Sequence, residues 1–148
     1  MSSKPLISPC RNLYEEDFVA WTEQTARLLR SGRLAELDVD NLTEEVEDMG
    51  KSRRQELHSR LKTLLWHLLK WKYQPAKRST SWQLTIDEQR QKLEYVLEES
   101  PSLRPTVPKA ILKAYPRAVR AAGLTADTFP ESCPISDEQI LDENFLPE

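Results

Sequence analysis

The hydrophobic positions in the first part of the chain recur at alternating steps of three and four residues. At about 100° per residue, this spacing places them on one face of a helix. Asn12 and Glu15 have the spacing of a capping box, and Gly32 is of the type that often ends a helix. One amphipathic helix is therefore predicted from Asn12 to Gly32. Its apolar stripe consists of Tyr14, Phe18, Trp21, Thr25 and Leu28.

A longer apolar pattern predicts a central helix over about 41–73. The helix is expected to open at Asp40 or Asn41 and to close before Pro75, because a residue that precedes proline disfavours helical geometry. Over residues 64–71 nearly every side of this helix is apolar. That part is therefore predicted to be enclosed by neighbouring helices or by a partner subunit.

The rest of the chain predicts two more helices and an extended C-terminal segment. The third helix carries an apolar stripe from Trp82 to Leu97. The fourth is predicted from Thr106 to Gly123, with Pro116 expected to kink or split it. One short helix, capped by a box of Ser136 with Gln139 and reaching about Asp142, is predicted in the last segment.

Together these elements predict an all-α fold, an irregular helical bundle around one long central helix. Residues 1–11 are expected to form a flexible tail and residues 12–148 a single helical domain. The N-terminus lacks a signal-peptide core, and the densest apolar run is too short to cross a bilayer. Cys10 and Cys133 form no recognisable disulfide or metal motif. A soluble, cytoplasmic protein without membrane contact is predicted.

The charged residues divide the chain into three parts. Residues 1–50 hold 5 Lys/Arg and 11 Asp/Glu, residues 51–92 hold 11 and 3, and residues 93–148 hold 5 and 10. The net charge of −3 therefore conceals an acidic, a basic and a second acidic segment. Such a pattern would allow complementary contacts within the chain or with another copy.

Several short motifs, in a fixed order from Tyr14 to Pro147, resemble those of one known family. They are Asp38 to Met49 (DVDNLTEEVEDM), His67 to Trp71 (HLLKW), Ser81–Trp82 with Thr85–Ile86, Ser100 to Leu103 (SPSL), Phe129–Pro130 and Cys133–Pro134. In these motifs the chain resembles the domain-of-unknown-function family number twenty-nine, bacterial proteins found largely in cyanobacteria. The resemblance implies an α-helical fold and no established activity, and it supplies no catalytic residues.

Acidic residues at the start of the central helix are the candidates for metal chemistry. Glu44 and Asp48 are four residues apart and face the same way, as magnesium ligands could. They also face away from the apolar stripe, which is typical of a solvated first turn. Glu45 borders the stripe and is expected to pair with an arginine inside the fold or to serve catalysis. No bound cofactor is predicted.

His67 is the candidate general base, and the alternative is a hydrogen-bonded core histidine. His58 and His67 are nine residues apart and point in opposite directions on one helix, so they cannot share a zinc ion. Arg53 and Arg60 form a half-buried basic row, for which an ion-pair network with the acidic first helix or tail is expected. Whether Glu45, His67 and these arginines form an open site or a buried network is left open.

The segment after the leucine-dense stretch alternates aromatic with basic residues, which suits single-stranded nucleic acid. The alternative is ordinary packing beside a solvated basic loop. The candidates for nucleic-acid binding are Lys70, Lys72, Lys77, Arg78 and Trp82.

The sequence supports two hypotheses for the function. The first is a non-enzymatic helical interaction protein that binds another protein or a second copy as a homodimer. The second is a nucleic-acid-associated protein, a metal-dependent nuclease included, that uses the acidic cluster at 44–48 and the basic segment 51–92. The sequence contains no glycine-rich phosphate loop and no nucleophile elbow.

Overall fold

Six α-helices and no strand occur in residues 9–123 and 128–148, which are those that the computed structural model describes. The predicted all-α fold is therefore confirmed, together with its extended C-terminal segment. Within these ranges, no helix is both long enough and apolar enough to cross a membrane. The helices are α1 (Pro9–Glu16), α2 (Phe18–Arg30), α3 (Val39–Tyr73), α4 (Thr80–Glu99), α5 (Val107–Ala121) and α6 (Asp137–Leu141).

The first predicted helix is in fact two helices. α1 begins at Pro9, before the predicted cap at Asn12, and ends at Glu16. Asp17 has extended backbone angles, and its carboxylate accepts a hydrogen bond from the Ala20 amide at 3.0 Å. This side chain caps α2 and so divides the single helix that the sequence periodicity predicts. Of the predicted tail, residues 1–8 lie outside the described residues and the rest belongs to α1.

The predicted central helix is confirmed as α3, which is 35 residues long. The helix begins at Val39, slightly earlier than the predicted start at Asp40 or Asn41. Asp38 lies just before the helix, and its carboxylate accepts hydrogen bonds from the amide and the side chain of Asn41. The helix ends at Tyr73, as expected from Pro75.

By contact density the chain divides into two compact units, Met1–Lys51 and Ser52–Glu148, and α3 contributes to both. The predicted single domain over 12–148 stays a prediction. In the N-terminal unit, the described core contains the buried side chains of Trp21 and Leu28. Partly buried residues pack against these two side chains. They are Leu13, Tyr14, Leu37 and Leu42.

The C-terminal unit contains the main hydrophobic core. Leu64, Leu65, Leu68 and Leu69 of α3 are fully buried there, so the leucine-dense part of the helix is enclosed as predicted. Apolar side chains of α4, α5 and α6 complete this cluster, together with Phe129 and others from the C-terminal segment. The chain itself thus covers these leucines, and a partner subunit is not needed to do so.

The helices α4, α5 and α6 lie where the sequence predicts them. The side chain of Ser79 caps α4, and Ser136 with Gln139 forms the predicted capping box of α6. Pro116, the predicted position of a kink or a split, does not split its helix, because α5 runs through it to Ala121. Gly123 follows with a φ of 70°, in the left-handed region that glycine adopts without strain.

Candidate functional site

The predicted acidic candidates lie on the first turns of α3. The Tyr14 hydroxyl donates a hydrogen bond to Glu45 Oε1 at 2.5 Å, so Glu45 pairs with a phenol rather than with an arginine. This bond is the main cause that raises the pKa of Tyr14 to about 12, and desolvation and nearby carboxylates add to it. Glu44 and Asp48 are exposed. In the part of the chain that is described, no group of three or more His, Cys, Asp and Glu side chains could hold a metal ion.

His67 is a half-buried residue on the second half of α3. Its Nδ1 lies 2.8 Å from the Thr63 carbonyl oxygen, which can only accept, so Nδ1 carries the proton of this bond. Burial is the main cause that lowers the pKa of His67, and the positive charge of Lys70 lowers it further. The hydrogen bond to Thr63 acts in the opposite direction and raises the pKa. The predicted choice between a general base and a core histidine is not decided by this contact.

The predicted arginine row has its partners in the C-terminal unit. Arg53 lies 3.3 Å from both Glu56 and Glu99, and Arg60 lies 3.1 Å from Glu56. Arg60 also donates to Gln89 at 3.3 Å. The ion-pair network expected for these arginines is therefore formed by α3 and α4, because its carboxylates, Glu56 and Glu99, belong to these helices and not to the acidic first helix.

The predicted nucleic-acid candidates have partners within the fold. Lys70 Nζ lies 4.2 Å from the centre of the Trp82 ring and 5.2 Å from that of Trp66, in cation–π geometry. Arg78 donates to the Trp71 carbonyl at 2.7 Å and to the Pro147 carbonyl at 3.4 Å. These contacts support ordinary packing for this part of the segment. Lys77 is exposed and Lys72 is half-buried near Tyr73.

An apolar groove lies within the N-terminal unit, between α2 and the first turns of α3. Its volume is about 430 Å³, which falls in the range of ligand sites. Phe18, Leu29 and Met49 line it and are 47%, 46% and 63% exposed. We call it the N-terminal groove. Its other lining residues are Trp21, Thr22, Thr25, Ala26, Leu42 and Glu45.

A second surface lies in the C-terminal unit, between α3 and α5. Basic side chains recur there at steps of four residues on both helices, and they line two adjoining grooves of about 190 and 160 Å³ that share His58. We call these side chains the cationic rows. They are Arg54, His58 and Lys62 on α3, and Lys109, Lys113 and Arg117 on α5.

The sequence alone did not reveal the cationic rows. Each row was visible as an i, i+4 spacing, but nothing in the local pattern shows that α3 and α5 lie side by side. The N-terminal groove was missed for a related reason, because its lining comes from both α2 and α3, and nothing in the local pattern shows that these two helices border one groove.

The family model described as "Domain of unknown function DUF29" matches residues 13–146. The chain belongs to this family. The resemblance predicted from its motifs is thereby confirmed over nearly the whole length. No curated protein and no solved structure shows a significant match to the chain. Because the family has no assigned function, the two surfaces must be interpreted from their own chemistry.

Proposed function

We propose that this member of the DUF29 family is a non-enzymatic interaction protein that binds one amphipathic helix of a partner protein in its N-terminal groove. The observation that carries the proposal is the cluster of large apolar side chains left in water along this groove. Helix-in-groove recognition uses apolar residues at steps of three and four on the bound helix. The groove supplies matching apolar walls from α2 and α3.

The small core of the N-terminal unit supports the docking of a further helix. Among its described residues, Trp21 and Leu28 are the buried large apolar side chains. A unit this small buries little surface on its own, so the exposed halves of its apolar side chains are available to a partner. Covering the exposed half of a side chain such as Phe18 or Met49 would contribute about 1 kcal/mol.

Charge complementarity indicates the kind of helix that fits. Glu45 lines the groove, while Glu44 and Asp48 lie on the same turns of α3 and Glu23 lies on α2. The first 50 residues contain 11 acidic and 5 basic side chains. The partner helix is therefore one that carries lysines or arginines next to its apolar face, since opposite charges at a rim favour encounter and fix register.

A second copy of this chain fits the N-terminal groove less well than a basic amphipathic helix does. In a two-fold symmetric pair, each surface meets the identical surface of the other copy. The acidic side chains of two N-terminal grooves would then face each other and repel. We therefore assign the groove to another protein rather than to a homodimer.

The test compares two synthetic amphipathic peptides that share a leucine face but carry either lysines or glutamates beside it. Fluorescence anisotropy with the full chain should show binding of the lysine peptide only. Met49→Lys should weaken this binding by at least about tenfold, which corresponds to about 1.4 kcal/mol. Met49 is 63% exposed, so the substitution should leave the fold intact.

Leu84→Lys is the matched control. Leu84 is 62% exposed on α4 and undergoes the same change of charge and polarity as Met49. Equal losses in the two variants, or equal binding of the two peptides, would overturn the proposal. Dimerisation of the full chain that Met49→Lys abolishes, measured by sedimentation velocity, would assign the groove to a second copy instead.

We also propose that the protein acts in the cytoplasm and that its helices form a bundle. The lack of a disulfide motif around Cys133 supports the cytoplasm, and the packing of α3 to α6 supports a helical bundle. The alternative of a metal-dependent nuclease stays a prediction based on Glu44 and Asp48. Incubating nucleic acids with the protein, with and without magnesium, tests it.

A further inference from the structure

We propose that the cationic rows between α3 and α5 form a second binding site, which takes the phosphate backbone of a nucleic acid. This site lies in the C-terminal unit and does not depend on the N-terminal groove. Phosphate contacts supply most of the sequence-independent affinity of nucleic-acid-binding proteins.

The spacing of the rows suits a chain of phosphates. Four residues of helix rise by about 6 Å, so each row presents three basic side chains over about 12 Å. Arg54 and His58 share one groove with Lys109 and Lys113, while His58 and Lys62 share the next with Arg117. The numbering therefore increases in the same direction on both helices. Two parallel rows can hold successive phosphates of one strand between them.

The charges of the rows are available to a ligand. Arg54, Lys62, Lys109, Lys113 and Arg117 are all exposed. Throughout residues 9–123 and 128–148, no carboxylate forms an ion pair with any of these five side chains. This availability contrasts with Arg53 and Arg60 on the same helix, which are paired with glutamates. An incoming phosphate would therefore not have to displace a carboxylate.

The walls of the two grooves fit phosphate as well. Neither groove is lined by an acidic residue, and the whole of α5 contains none. Ser59 contributes a hydroxyl group, which is a common donor to phosphate oxygens. Leu57, Ala110 and Ala114 contribute the apolar part of the lining.

The chemistry of the rows favours backbone contacts without base recognition. Neither groove is lined by an aromatic side chain on which a base could stack. This distinguishes the rows from the predicted site at Lys70 and Trp82, whose aromatic and basic side chains contact each other. The expected ligand is a nucleic acid of any sequence.

An anionic membrane fits this surface less well. Stable binding to a bilayer surface needs apolar side chains that insert beside the basic ones. On α5, Leu112 is the large apolar side chain that is strongly exposed, at 71%. One leucine offers little area for insertion, whereas a flexible phosphate backbone can enter the grooves.

The test measures binding of fluorescent DNA of mixed sequence, as duplex and as single strand, to the full chain over a range of salt concentrations. If all five lysines and arginines contact phosphates of duplex DNA, log K should fall against log salt with a slope of about −4.5. Affinity should then fall by about 500-fold between about 50 and 200 mM salt. Absence of binding at low salt would overturn the proposal.

Variants locate the site. Lys62→Gln with Lys113→Gln should make the slope less steep by about 2, because two phosphate contacts are lost. The matched control, Lys92→Gln with Arg104→Gln, removes two exposed charges from α4 and the turn after it and should leave the slope unchanged. Circular dichroism checks that each variant folds.

Two further outcomes would overturn the assignment. One is a larger loss of slope in Lys72→Gln with Lys77→Gln, which would place the ligand on the segment that follows the leucine-dense stretch. The other is retention on phosphatidylserine vesicles without binding to DNA, which would identify a membrane surface as the ligand.

Discussion

Arg90 Nε donates a hydrogen bond to the carbonyl oxygen of Ile140 at 2.9 Å and so joins α4 to α6. The same guanidinium donates to Phe145 at 2.7 Å through Nη1 and to Gln139 at 3.1 Å through Nη2. Arg90 is only 3% exposed. Its fork of donors thus supplies three backbone carbonyls of the C-terminal segment with hydrogen-bond partners inside the fold.

Replacement of Arg90 by methionine should release this segment. Methionine keeps much of the apolar volume but has no donor, so three carbonyls lose their partner and the free energy of unfolding should fall by about 3 kcal/mol. Urea unfolding measures the loss, and a glutamate-specific protease should cleave the variant faster within residues 136–148. Arg104→Met is the control, because Arg104 lies in an exposed ion pair whose loss should cost less than about 1 kcal/mol. Equal losses in both variants would contradict the role of Arg90.

Tyr14 should stay protonated at a pH where an ordinary tyrosine is ionised. With a pKa of about 12, about one-tenth of Tyr14 would be phenolate at pH 11, compared with about nine-tenths for a normal tyrosine. The difference in absorbance at about 295 nm between the wild type and Tyr14→Phe isolates this group. Because the raised pKa favours the neutral phenol in the fold, its stabilising effect is present below pH 10 and is lost as the pH rises through about 12.

The hydrogen bond to Glu45 is the testable cause of this shift. Glu45→Gln should return the pKa of Tyr14 towards its ordinary value. Glu47→Gln makes the same change of charge on the same helix, but Glu47 is not among the groups that act on Tyr14, so it should have little effect. Similar changes in both variants would show that general charge, and not this bond, raises the pKa.

Local signals made the helices predictable. The long helix, its end before Pro75 and the capping box at Ser136 all follow from residues within a few positions of one another. The break at Asp17 was missed because the apolar stripe continues across it, while one side-chain hydrogen bond to Ala20 decides the geometry.

The candidate sites were harder to predict because they depend on which helices are neighbours. Residues 51–92 are basic, but two of the predicted nucleic-acid contacts in this segment, Lys70 and Arg78, lie against tryptophans of the fold. Arg54 and Lys62 line the two grooves together with side chains of α5, which lies in a segment of net negative charge. Segment-wise charge counting therefore could not pair the two rows.

His67 should make the stability of the protein depend on pH. Its pKa is lowered in the fold, mainly by burial, so below about pH 6.5 the unfolded chain takes up a proton more readily than the folded chain. Its contribution to stability is present above that pH and is lost as the pH falls through the folded pKa. When the pH is lowered from about 7.5 to about 5.5, the urea concentration at the midpoint of unfolding should decrease. The decrease should be smaller in His67→Gln than in the wild type. A pH response unchanged in His67→Gln would refute the prediction.

Leu65 tests whether the leucine-dense half of α3 belongs to a core within one chain. Leu65 is fully buried, so Leu65→Ala should lower the free energy of unfolding by about 2–5 kcal/mol, through lost burial and the cavity left behind. Leu84→Ala, at a position that is 62% exposed, should cost less than about 0.5 kcal/mol. Because the surrounding side chains come from α4, α5 and α6 of the same chain, the loss caused by Leu65→Ala should not depend on protein concentration. Urea unfolding at low and high protein concentration makes this measurement. A loss that changes with concentration would mean that these leucines are also stabilised by a second subunit, which is what the apolar pattern over residues 64–71 had left open.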